Sequence, residues 1–211
     1  MIKIKVWGVI DMQTSSIFET AVSSLENDKE PLLIVINSVG GTLSDSIAIR
    51  NLLDSLKNPI ITVALGNCCS AAAMLFASGK HRYIGEDISY MIHQPYTPTI
   101  DMNQNYHKAT IKQRKLKQYA DIYKKGFKRG SKIPADILKA FEKGEDLYLL
   151  DKDCLEYRIA THMFTNWDDL YEKNNQYIFV SRGIGCVGVP GRIGMDPQYT
   201  VITLKCSKRE S

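Results

Sequence analysis

Two side chains in this sequence have the type and the surroundings for nucleophilic chemistry. Ser70 stands in Gly66-Asn67-Cys68-Cys69-Ser70-Ala71-Ala72-Ala73, where a tight turn of small residues runs into an apolar, Ala-rich helix. Backbone N–H groups at a helix N-terminus are unpaired and point outward, and the helix dipole favours negative charge developing beside them. His93 follows the short apolar run Tyr90-Met91-Ile92 and is succeeded by Gln94 and Pro95. A serine in an anion-friendly turn, a histidine at a strand end and a later carboxylate are the parts of a Ser-His-Asp set. Each residue alone also has a structural reading, Ser70 as the cap of a buried helix and His93 as a hydrogen-bonded core histidine.

The elements that must position these residues alternate. Ile2 to Ile10 reads as a strand and Thr14 to Leu25 as a helix with Ile17, Ala21, Val22 and Leu25 on one face. Leu32 to Ile36 is a continuous apolar strand of the kind buried on both faces, and Asn37 to Gly41 reads as a turn. A helix carrying Ile47, Ile49, Leu52, Leu53 and Leu56 follows, closed by Pro59. Ile60 to Leu65 is the next buried strand, and Arg82–Ile84 and Ile88–Ile92 are two shorter ones. This order predicts an α/β fold with a largely parallel sheet, whose functional loops lie at the carboxyl ends of the strands. The Gly40-Gly41 turn, the Ser70 turn and His93 all fall at such ends, which argues for one shared site.

From about Met102 to Lys128 the chain is a long, Lys- and Gln-rich helix with the thin apolar stripe Tyr106, Ala109, Leu116, Tyr119, Ala120 and Tyr123. Such a helix predicts packing against another subunit. Pro134 to Phe141 is a short helix, Leu147 to Leu150 an apolar segment, and Asp151 to about Ile159 a last helix. Beyond Asn174, Tyr177–Val180 and Thr200–Leu204 read as strands around a glycine-rich stretch. Gly183-Ile184-Gly185-Cys186-Val187-Gly188 satisfies G-x-G-x-x-G, but Pro190 stands where a helix should start, so a hairpin or flexible tail is expected instead of dinucleotide binding.

A chain of 211 residues, 44% apolar and 24% charged, has the makeup of one sizeable globular domain. Its longest apolar run, Ala71 to Ala77, is too short for a bilayer span, and Met1 to Trp7 alternates as a strand does rather than a signal peptide, so no membrane association and a cytoplasmic location are expected. Five cysteines with no C-x-x-C spacing support neither a zinc site nor a redox pair. The net charge of +4 is concentrated between Lys108 and Lys132, with Asp121 as the sole acid there. Without an aromatic array beside it this is a solvated helix face, and no nucleic-acid partner is expected.

Three segments together resemble the proteolytic subunit of the Clp protease family: Ile36-Asn37-Ser38-Val39-Gly40-Gly41, Gly66-Asn67-Cys68-Cys69-Ser70-Ala71-Ala72-Ala73 and Met91-Ile92-His93-Gln94-Pro95. The resemblance covers roughly the first 170 residues. It implies the ClpP/crotonase-like β-β-α superhelix with a long protruding helix, a peptidase domain over 1–172 and, over 173–211, a Gly-rich C-terminal extension of unknown role. It also implies a serine endopeptidase with Ser70 as nucleophile, His93 as general base and Asp146 as the aspartate, Glu145, Asp151 and Asp153 being close alternatives. Gly41 and Ala71 match the backbone donors of the oxyanion hole, and Gly40-Gly41 the segment beside which a peptide lies as an added strand. No cofactor and no metal are implied.

The implied partners are a peptide or unfolded protein substrate, further copies of the chain in a ring, and an AAA+ unfoldase. The chain begins at the first strand, where family members carry an axial gate, so the unfoldase is the least supported of these. A phage-type capsid maturation protease and a non-catalytic ring or scaffold subunit are the alternatives. A crotonase-type acyl-CoA enzyme is weaker, because that chemistry wants acidic catalytic residues in place of serine paired with histidine.

Overall fold

The computed structural model describes residues 1–96 and 106–167. Four strands open the architecture with helices between the first three pairs: β1 (Ile2–Ile10), α1 (Met12–Ser23), β2 (Leu32–Gly41), α2 (Leu43–Asp54), β3 (Ile60–Cys69), α3 (Ala71–Phe76) and β4 (His81–Ile84). They are followed by β5 (Ser89–Ile92), α4 (Tyr106–Phe127), α5 (Ala135–Glu142), β6 (Leu147–Leu149), α6 (Asp151–Glu156) and β7 (His162–Met163). The main sheet runs β1-β2-β3-β4-β7 with every pairing parallel, which is why the inner strands are apolar on both faces. In β2, Leu32, Ile34 and Ile36 join the large core with α1, α2 and α3, while Leu33 and Val35 turn to a smaller cluster with Ile61, Val63 and Tyr83.

Two strands extend further than their apolar runs. The segment read as a turn, 37–41, continues β2, pairing Gly40 with Val9 and Gly41 with Ile10 after a bulge at Trp7/Val9. Likewise β3 continues from Leu65 to Cys69 because it changes partner. Residues Ile61 to Ala64 pair with β4, whereas Asn67, Cys68 and Cys69 pair with Ser89, Tyr90 and Met91 of β5. The switch occurs at Gly66, whose φ of +88° suits a residue without Cβ. Sheet splitting of this kind places the end of β3 directly beside the end of β5.

The long helix departs from expectation at one end. Ile111 is exposed, as an intersubunit helix would have it, but Tyr123 and Phe127 are buried and pack with Phe141 at ring separations of 5.0 to 6.0 Å. Burying each such ring contributes about 1.5–3 kcal/mol, so the last turns of α4 belong to this domain's own core. The last helix is also shorter than its sequence suggests: α6 stops at Glu156 and Arg158 takes φ +52°. Its neighbourhood is fastened by Arg82, whose guanidinium donates to the carbonyls of Gly79, Gly130, Arg158 and Ile159. The start of the long helix at 102–105 and the whole extension, with its two strands and glycine motif, lie outside the described residues.

Candidate active site

Ser70 is the hinge between β3 and α3, with φ +54° and ψ −125°. A non-glycine residue there costs about 1–3 kcal/mol and persists only where its surroundings over-determine it. Those surroundings are visible. The Ser70 N–H donates to the Met91 carbonyl at 2.7 Å, and the Ser70 carbonyl accepts from Ala73 N–H and from the Tyr123 hydroxyl, both at 2.9 Å. A strained strand-to-helix turn of this form projects a serine hydroxyl away from the sheet.

Toward that hydroxyl points His93, the residue after β5. Its Nε2 lies 2.8 Å from Ser70 Oγ. The next residue ties this segment to the end of α5, since the Gln94 amide donates to the carbonyls of Phe141 and Glu142. If Nε2 accepts the serine proton, the neutral ring carries its own proton on Nδ1. Asp146 Oδ1 lies 4.0 Å from Nδ1, with the carboxylate 60% exposed and the imidazole 15% exposed. The register explains this neighbour: Ile92 pairs with Leu147 in the antiparallel β5–β6 ladder, so the residues just beyond, His93 and Asp146, face each other. The distance exceeds a hydrogen bond. Of the alternatives, Asp153 is engaged at the start of α6, where it accepts from the Leu150 N–H.

The glycine pair packs under the nucleophile. A Cβ on Gly40 would stand 2.7 Å from both the Cys69 carbonyl and Ser70 Cβ, and a Cβ on Gly41 would overlap the Ile10 carbonyl. Gly40 N–H is taken by Ser38 Oγ at 3.1 Å, and that hydroxyl donates to Gly8 O. Ala71 is the first residue of α3, where an amide has no acceptor within its helix. A cavity of about 660 Å³ opens at Ser70 and His93, lined among others by Val39, Met91 and Tyr96 and by Leu116, Tyr119 and Tyr123 of α4.

The neighbouring cysteines do not compete with Ser70. Burial pushes the Cys68 thiol well above its ordinary value, aided by Cys154 and Cys69, and an apolar, protonated thiol is a poor nucleophile. Cys69 is buried with its thiol donating to Ser89 O at 3.4 Å. No group of acidic, histidine or cysteine side chains suited to a metal ion occurs among the described residues. Nor, among them, is any helix long and apolar enough to cross a membrane.

Residues 3–166 match the family model described as Clp protease. The chain belongs to that family. A Clp protease proteolytic subunit from Streptococcus uberis is 24% identical over 158 residues, spanning 74% of this chain and 80% of the relative. The proteolytic subunit 2 of Borreliella burgdorferi is 33% identical over a shorter stretch, 42% of this chain and 46% of the relative. The match to the Chlamydomonas moewusii subunit, 36% identical over 78 residues, spans only 8% of that much longer protein. Among solved structures, a ClpP1 mutant from Listeria monocytogenes superimposes with a TM-score of 0.69 over 80% of this chain and 94% of its own, at 20% identity. The mixed α/β fold is therefore that of the Clp protease family.

Three supports of the site were missed in the sequence. Tyr123 figured only as part of a helical stripe, yet it reaches back to Ser70. Ser38 fixes Gly40, and Asn37 Oδ1 accepts from Asn67 N–H at 2.9 Å, tying the glycine strand to the nucleophile strand. The proximity of Asn37 and Ser38 to Gly40 was the available signal for the latter two. For Tyr123 there was none, because the contact spans 53 positions.

Proposed function

We propose that this chain is a serine peptidase in which Ser70 is the nucleophile and His93 the general base. The observation that carries the reading is the 2.8 Å Nε2–Oγ contact at a strained turn beside an apolar cavity. As Ser70 Oγ attacks a peptide carbonyl carbon, its proton passes to His93 Nε2, and the carbonyl oxygen becomes an oxyanion. In this reading the Ala71 and Gly41 amides receive that charge. When the C–N bond breaks, His93 returns the proton to the leaving amine, and water repeats the sequence on the acyl-serine. Two preorganised backbone donors supply about 3 kcal/mol each of transition-state stabilisation. The substrate lies extended beside Gly40-Gly41, with a large apolar side chain filling the cavity against Leu116, Tyr119 and Tyr123.

The working particle is a homo-oligomeric ring, fed by an ATP-dependent unfoldase of the AAA+ class. Support comes from family membership and from the exposed, basic outer part of α4. One observation favours a second reading, a non-catalytic ring or scaffold subunit: Asp146 stands 4.0 Å from His93 and is largely exposed.

A fluorophosphonate probe separates the two. Labelling of the wild-type protein that disappears in both Ser70→Ala and His93→Ala supports the peptidase. An assembled protein that never labels refutes it in favour of the scaffold.

A further inference from the structure

We infer that Tyr123 is a positioning residue for the oxyanion hole, acting through the peptide bond between Ser70 and Ala71. This inference rests on the peptidase reading. The Tyr123 hydroxyl donates to the Ser70 carbonyl at 2.9 Å. That carbonyl and the Ala71 N–H belong to one planar trans peptide unit, so fixing the oxygen fixes the direction of the N–H on its opposite side. The site needs such a fix. Ser70 has a positive φ, α3 is only 6 residues long, and an isolated turn of that length has little rigidity of its own. Donation to the oxygen also polarises the amide and makes its N–H the stronger donor.

The rest of the residue is built for this task. Its ring packs in a three-ring cluster with Phe127 and Phe141, at 5.0 and 6.0 Å, which fixes the phenol's line of approach. Tyr123 is 2% exposed. Burial, with Cys68 and Cys69 adding to it, pushes the phenol well above its ordinary value, so it stays protonated and able to donate wherever a histidine base works. Because Tyr123 also borders the cavity, a role in oxyanion geometry must be distinguished from a role in side-chain selection.

Tyr123→Phe removes the hydroxyl and keeps the ring. The expected result is a fall in kcat of about five- to tenfold, the factor corresponding to one ordinary hydrogen bond, with KM unchanged. The same factor is expected in the fluorophosphonate labelling rate, in the affinity of a peptide boronate that mimics the tetrahedral intermediate, and for substrates differing in the side chain that fills the cavity. Phe127→Leu, which loosens the same ring cluster but leaves the hydroxyl, lowers the melting temperature without that selective loss of boronate affinity. An unchanged labelling rate in Tyr123→Phe, or a loss that varies with the substrate side chain, overturns the inference. A folded wild-type protein that fails to label at Ser70 overturns instead the reading beneath it, and the inference with it.

Discussion

Replacing Gly40 by alanine tests whether the glycine strand is the floor of the nucleophile or merely its neighbour. The added Cβ would stand 2.7 Å from Ser70 Cβ and from the Cys69 carbonyl, and 3.0 Å from Ala71 N. Carbon atoms in contact rest about 3.5–4.0 Å apart, so strand and turn must separate by about 1 Å. Gly40 is held in the ladder opposite Val9 and by Ser38, so part of that displacement falls on the Ser70 turn and moves its Oγ. A reacting group misplaced by about 1 Å loses about 100-fold in rate. Stability falls as well: the φ of +96° strains an alanine by about 1–2 kcal/mol, and overpacking adds about 1–3. At 2–4 °C per kcal/mol, a combined loss near 3 kcal/mol lowers Tm by about 6–12 °C. The assay is the second-order rate of fluorophosphonate labelling at a temperature where wild type and variant are both folded, beside a thermal melt. Gly144→Ala is the reference, because its φ of +89° imposes the backbone strain while nothing lies within 4 Å of the new Cβ. It should lose stability by the backbone contribution alone. If Gly40→Ala labels at the wild-type rate and melts with Gly144→Ala, the close packing of strand and nucleophile has no mechanistic weight.

Two further outcomes follow from charges near the ends of elements. Asp146 is largely exposed and, at 4.0 Å, beyond hydrogen-bond reach of His93, so Asp146→Asn should slow labelling only about fivefold, the Coulomb effect of a charge pair at that distance in water; a loss near 10⁴, the size seen where the aspartate bonds the imidazole directly, would mean that the pair closes when the particle assembles. Asp11 caps α1, and the Thr14 backbone N–H holds its carboxyl below the ordinary 3.8. A depressed carboxyl contributes stability that is present above its unfolded value and lost as the pH falls through its folded one. Asp11→Ala should therefore melt below wild type at pH 7, with the gap narrowing below pH 3.8; a gap independent of pH refutes the capping role.

The alternation of apolar runs with amphipathic segments was enough to locate β1 through α3, because buried parallel strands and their crossover helices leave strong local signals. What could not be read was where strands change partner. Asn67-Cys68-Cys69 lacks the apolar run that marks Ile60–Leu65, and its extension to Cys69 exists only because β5 lies alongside. The same holds for Val39-Gly40-Gly41, whose turn-like composition conceals pairing with Val9 and Ile10. Ser70 and His93 were legible by type and by the strand ends they occupy. Asp146 came only through the family resemblance, and its place opposite His93 follows from an antiparallel pairing that no local pattern announces.

These failures fall at the site for a common reason. A strand that obeys its local pattern ends where its apolar run ends, and its loop is then free. Here the ends of β2 and β3 are instead drawn past their apolar runs by tertiary pairing, with β1 on one side and β5 on the other. That extra pairing is what keeps a positive-φ serine at the hinge, with its N–H on Met91 and its carbonyl on Ala73 and Tyr123. Local preference and global structure disagree at Ser70, which carries a Cβ at positive φ, whereas Gly40 and Gly66 take such angles freely. Such disagreement costs stability and persists where a reacting geometry is maintained. Positive φ alone does not single out Ser70, since Asp87 and Arg158 share it; what separates Ser70 is the set of contacts at its turn, with the Met91 carbonyl, Ala73 N–H, the Tyr123 hydroxyl and His93 Nε2, which a structural helix cap does not require.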